Sequence, residues 1–122
     1  MEKYFVTYNQ ALALKELGYN KKCLAWYNWT GKELLFTNNQ YADIDPTNAP
    51  LKQQVFEWFR EKHNLISCVR TISYGCAIDE QEFYYEIVSV RGVESYEIYN
   101  KYEEAESDCI DKLIELVKSK KQ

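Results

Sequence analysis

An apolar stripe near the C-terminal end constrains this chain more than any other feature. Ala105, Cys109, Leu113, Leu116 and Val117 recur at helical spacing between Lys101 and Lys118. A helix with such a stripe must lay it on another surface. Three strand-like runs directly before it supply one: roughly Ile66 to Ile78, Phe83 to Val90 and Val93 to Tyr99. Two-residue turns at Glu80-Gln81 and Arg91-Gly92 set an expected register. It pairs Ile78 with Phe83, Cys76 with Tyr85, Tyr74 with Ile87, and Tyr85 with Ile98. Ile72 and Tyr96 fall on the same apolar face. The other face then carries Ser73, Ala77, Tyr84, Glu86, Val88, Ser95, Glu97 and Tyr99, with Glu86 and Glu97 as cross-strand neighbours. The apolar face is expected to hold two helices, the one after the strands and the one before them.

That earlier helix is read from Leu51, Val55, Trp58 and Phe59 at i, i+4, i+7 and i+8, running to about Lys62 with Pro50 in its first turn. Further upstream, Thr7-Tyr8-Asn9-Gln10 reads as a capping box. The helix it opens has Leu12, Ala13, Leu14 and Leu17 on its apolar side, and Gly18 is placed to stop it. Cys23 to Trp29 and Lys32 to Thr37 predict a hairpin around Thr30-Gly31. Asn38 to Asn48 reads as a polar loop closed by Pro46 and Pro50. Neither flank is large enough to fold alone. The expectation is therefore one α+β domain over 1–122, two layers deep. Residues 1–48 give a helix, a hairpin and a loop; 49–122 give a helix, a three-stranded antiparallel sheet and a final helix.

Composition sets limits on function. At 122 residues and 14.5 kDa the chain can bury a core without disulfides or metal. Its net charge of -4 and pI near 5.1 disfavour a general phosphate-backbone binder. The N-terminal run Met1-Glu2-Lys3-Tyr4-Phe5-Val6 has no apolar signal-peptide core, and no run approaches a membrane span. The expected setting is cytoplasmic, without a membrane partner and with the four cysteines reduced.

The order helix, three antiparallel strands, helix resembles the double-stranded-RNA-binding domain. In that family lysines at the start of the last helix grip phosphates. Here the matching stretch, Asn100-Lys101-Tyr102-Glu103-Glu104-Ala105-Glu106, is acidic. Other chemistry is weakly signalled. Carboxylates at 103, 104, 106 and 108 favour a helix N-terminus without needing a metal. There is no Cys-x-x-Cys, and Cys68 and Cys76 lie about 26 Å apart along a straight strand, too far to share one ion. His63, the only histidine, sits at a helix C-terminus, where the dipole accounts for it. Asp43 and Asp45 precede Pro46 as turn residues do. The reading is thus no catalytic residues, no metal and no cofactor. The second sheet face is different: Tyr84, Glu86, Glu97 and Tyr99 form an aromatic-plus-acid surface of the kind that binds a protein.

Two end segments, Val6 to Tyr19 and Tyr102 to Val117, together with Gln54 to Lys62, resemble a family of small uncharacterised proteins of phages and integrated elements in Bacteroides-type gut bacteria. The resemblance implies a mobile-element setting and a host protein as target; it brings no activity and no catalytic residues. The function expected is a non-catalytic protein-interaction module whose partner is a host protein or a second copy, a homodimer included. Nucleic acid is a disfavoured partner. The alternatives are a nucleic-acid-binding module of double-stranded-RNA-binding topology and a small enzyme using His63.

Overall fold

The computed structural model describes residues 2–28, 33–36, 47–72, 82–95 and 97–120. They form a mixed α+β architecture of three α-helices and two three-stranded antiparallel sheets. Two compact units divide the chain, Met1–Val55 and Phe56–Gln122. None of the described helices is long and apolar enough to cross a membrane.

The first unit opens with a 3-10 turn, Glu2–Tyr4, and helix α1, Tyr8–Glu16. The capping box forms as expected. Gln10 N–H donates to Thr7 Oγ1 at 3.2 Å, and Thr7 N–H donates to Gln10 Oε1 at 2.9 Å. Gly18 at φ +97° closes the helix, and Tyr19 N–H reaches back to the Leu14 carbonyl at 2.9 Å. The buried side is Gln10, Ala11, Leu14 and Leu17, rotated from the expected one, with Leu12 and Ala13 only half-buried.

Strands β1 (Ala25–Tyr27) and β2 (Leu34–Leu35) pair antiparallel as expected, Trp26 opposite Leu35. The Thr30-Gly31 turn lies outside the described residues. A third strand, β3 (Thr47–Ala49), pairs with the other edge of β1. The end of the expected loop is therefore sheet, because buried Thr47 and Ala49 bracket exposed Asn48 with the alternation of a strand. Phe5, Ala25 and Ala49 form the centre of this unit, with Tyr27, Leu34 and Leu51 packed around them. The Tyr27 hydroxyl donates to the Val6 carbonyl at 2.6 Å.

Helix α2 (Lys52–His63) begins two residues after Pro50, so the proline precedes the first turn instead of occupying it. Gln54 Oε1 accepts from Leu51 N–H at 3.0 Å, which caps the start. Val55, Trp58 and Phe59 are buried, as their spacing implies. Asn64 ends the helix at φ +54°, a left-handed position that asparagine tolerates.

The second unit is built on strands β4 (Ile66–Ile72), β5 (Glu82–Ser89) and β6 (Gly92–Ser95), in the order β4-β5-β6. Helix α3 (Tyr102–Lys120) lies across β5 and β4. Its buried side is Ala105, Cys109, Ile110, Leu113, Ile114 and Val117, broader than the expected stripe, with Leu116 at the margin. Burying each of the larger aliphatic side chains is worth roughly 2 kcal/mol, so this contact is the main source of the unit's stability. Helix α3 is the helix that makes the extensive close backbone approach to this sheet.

Both expected registers of this sheet are corrected. Val69, not Cys76, stands opposite Tyr85, and Ser67, not Tyr74, stands opposite Ile87. Residues 73–81 lie outside the described residues, so the Glu80-Gln81 turn and the far end of the expected first strand do too. The offset is odd, so β4 is turned over: Ser67, Val69 and Thr71 face α3, and Ile66, Cys68, Arg70 and Ile72 face away. At the other turn, Ser89 pairs with Gly92, which leaves Val90-Arg91 as the connecting pair. Arg91 N–H donates to Ser89 Oγ at 3.2 Å, and Gly92 takes φ +121° as the first residue of β6. Phe83 then pairs with Tyr99, one residue out of step with Glu86 opposite Ser95. That step has the count of a bulge, and it turns Tyr99 to the other face.

Candidate functional site

The face of this sheet that points away from α3 is built in rows. Ile66 stands opposite Val88, and Val88 opposite Val93, so three aliphatic side chains cross all three strands. Ile66 is 52% exposed and Val93 60%, and Val90 on the adjoining turn is 93% exposed. The next row is Cys68 and Glu86; beyond it stand Arg70 opposite Tyr84 and Ile72 opposite Glu82.

Glu86 organises the polar part of this face. Arg70 Nε donates to its Oε2 at 3.0 Å, and the Tyr84 hydroxyl donates to its Oε1 at 3.3 Å. The Cys68 thiol points at the same Oε2 from 4.0 Å. The hydrogen bond to Glu86, followed by its charge, holds the Arg70 guanidinium above its usual pKa. Desolvation first, then Glu86, holds the Tyr84 phenol protonated above its usual range. Glu86 thus accepts at both carboxylate oxygens. The four groups make a pre-ordered polar patch beside an apolar row.

Of the four residues expected on this surface, Tyr84 and Glu86 are on it and in contact. Glu97 is exposed but does not stand opposite Glu86, whose partner is Ser95. Tyr99 is on the α3 side, its ring stacked on Tyr85 at 6.2 Å. Desolvation, followed by an Asp108 hydrogen bond, raises the Tyr99 hydroxyl pKa. The strand offset and the one-residue step account for both differences. Sequence reasoning missed Arg70 and Ile66. The alternation Ile66-x-Cys68-x-Arg70-x-Ile72 was the available signal, but the two-residue turn placed it on the wrong face.

The remaining candidates are dispersed. His63 packs its ring on Trp58 and Phe59, at 4.9 and 5.8 Å between centroids. The nearest cysteine in sequence, Cys68, directs its thiol to Glu86. Buried Cys109, on α3, has its thiol pushed up to about 12, chiefly by desolvation. It is an inert core thiol. Cys76, Asp43 and Asp45 lie outside the described residues. Among the described residues, no three His, Cys, Asp or Glu side chains converge as metal ligands would. A cleft of about 220 Å3 opens between the β5–β6 turn and the end of α3, lined by Leu65, Ile87 and Leu116 and by Arg91, Glu94 and Lys120. Its lining holds no imidazole or thiol. Compared with known proteins, the chain matches no family model, no curated protein and no solved structure.

Proposed function

We propose that this chain is a non-catalytic protein-interaction module that binds through the outer face of β4-β5-β6. One observation carries the reading: exposed Ile66 and Val93 flank half-buried Val88 in a row on a sheet face that also holds the ordered Arg70–Glu86–Tyr84 group. An apolar centre beside satisfied polar groups is the make-up of a protein interface. Tyrosine and arginine at its margin are the residue types that dominate interface energetics. The resemblance of the end segments to a phage and mobile-element family supports a cytoplasmic host protein as the partner.

Affinity capture from nuclease-treated host lysate tests the reading, comparing the native chain with Val93→Lys. Val93 is exposed, so the substitution is expected to leave stability within about 0.5 kcal/mol. A specific protein retained by the native chain and lost from the variant is the expected result. Equal retention by both puts the interface elsewhere.

A second reading, duplex RNA binding, has the order α2-β4-β5-β6-α3 behind it. Glu103 and Glu104 in the first turn of α3 count against it, since they set negative charge where that family sets lysine. Absence of duplex RNA binding at about 50 mM salt removes this reading.

A further inference from the structure

We infer that β4 is a self-pairing strand, and that two copies of this chain join antiparallel through their β4 edges about a two-fold axis at Val69. The inference concerns the strand's edge and is independent of the outer-face reading above.

Strand β4 ends the order β4-β5-β6 and pairs on one side only among the described residues. Which of its backbone groups point outward follows from the other side of the sheet. Phe83 exchanges both backbone bonds with Tyr99, at 2.8 and 2.7 Å, so its N–H and C=O point away from β4. Alternation along β5 then turns the backbone groups of Tyr84, Glu86 and Val88 toward β4. Their partners Arg70, Cys68 and Ile66 bond inward, which leaves Ser67, Val69 and Thr71 with N–H and C=O directed outward.

The side chains of this edge form a near-palindrome. Ile66-Ser67-Cys68-Val69-Arg70-Thr71-Ile72 read backwards gives Ile, Thr, Arg, Val, Cys, Ser, Ile. A two-fold axis at Val69 sets Ile66 against Ile72 of the second copy, Ser67 against Thr71, and Val69 against itself. Aliphatic pairs and Ser–Thr pairs are favourable cross-strand neighbours. The outward backbone groups fall into register as well. Val69 with Val69, and Ser67 with Thr71 in both directions, become hydrogen-bonded pairs, each exchanging two bonds.

Cys68 stands against Arg70 of the second copy, and each Arg70 keeps its own Glu86, so no unpaired charge is buried. The strand carries no proline and no lysine, the residues that commonly block an edge. On the outer face, Ile72 of one copy also extends the Ile66–Val88–Val93 row of the other.

Light scattering on the full chain at micromolar concentration tests this, with the native chain expected at twice its 14.5 kDa. Thr71→Pro removes one outward N–H from an exposed edge position, a place where a strand tolerates proline. That variant is expected to be monomeric with an unchanged circular dichroism spectrum. Arg70→Cys provides a check that does not depend on Thr71→Pro folding. It puts a thiol against Cys68 of the second copy in a non-hydrogen-bonded pair, with Cα atoms about 4.5 Å apart, a separation that a disulfide spans. Mild oxidation is expected to yield a covalent dimer, lost when Cys68→Ser is added. A native chain that stays monomeric overturns the inference. So does a dimer that survives Thr71→Pro, or one that Arg70→Cys does not cross-link.

Discussion

Cys109 shows how burial alone assigns a residue its role. Its thiol is fully enclosed under α3, and desolvation pushes it up to about 12 from an ordinary 9.0. The folded chain therefore holds that proton more tightly than the unfolded chain does. The resulting stability is fully present below pH 9 and is lost as pH rises toward 12. Tyr85 and Tyr99, also raised by desolvation, add to the same alkaline loss. Denaturant midpoints are expected to fall steadily above pH 9, with a shallower fall in Cys109→Ala; equal slopes would show that the thiol ionises as freely folded as unfolded. The capping box makes a second case at this scale. Thr7→Ala removes the acceptor for Gln10 N–H and is expected to cost about 1 kcal/mol. Here the sequence was sufficient, because a cap is a local device: Thr7, Gln10 and Gly18 act through neighbours a few residues away. Asn64 was missed although it acts the same way, because asparagine ends a helix less regularly than glycine does.

Elements separate what periodicity can determine from what it cannot. The stripe of α3 and the side of α2 were legible because helical spacing depends on one segment alone. Leu113→Ala, in the middle of the α3 contact, is expected to cost about 2–5 kcal/mol in denaturant unfolding, against near neutrality for Val93→Lys. A loss below about 1 kcal/mol would mean that α3 is not the cover of this sheet. Register was not legible, because it depends on loop length. Alternation in 66–72 and 83–89 fits either face of a sheet, and the assumed turn at Glu80-Gln81 chose the wrong one. The error at Arg91-Gly92 was smaller, one residue in turn position, since Ser89 and not Val90 closes the loop. Gly92→Ala is expected to destabilise by about 1 kcal/mol, through its φ of +121° and not through crowding, since nothing stands within 4 Å of an added methyl. The third strand of the first unit, Thr47–Ala49, was hidden because its partner edge on β1 is distant in sequence.

For the molecule as a whole, the consequence of the register is which surface is left open. Turning β4 over moved Val69 under α3 and brought Ile66 and Arg70 out beside Val88, Val93 and Glu86. The candidate surface is thus part of the one read from sequence, with Tyr84 and Glu86 retained, Tyr99 removed and an aliphatic row added. It is also less acidic than expected, since Arg70 neutralises Glu86. Such a face suits a partner surface with an apolar centre and a polar margin. Exchange of an apolar contact mainly alters dissociation, so Val93→Lys is expected to shorten the lifetime of the complex more than it slows its formation. The most direct measurement is photo-crosslinking, with a benzophenone amino acid placed at position 93 and, as a control, at Glu104 on the solvent side of α3. A single host protein captured from nuclease-treated lysate at position 93 and not at 104 is the result this account requires. Capture at 104 alone, or only of species that nuclease removes, would contradict it.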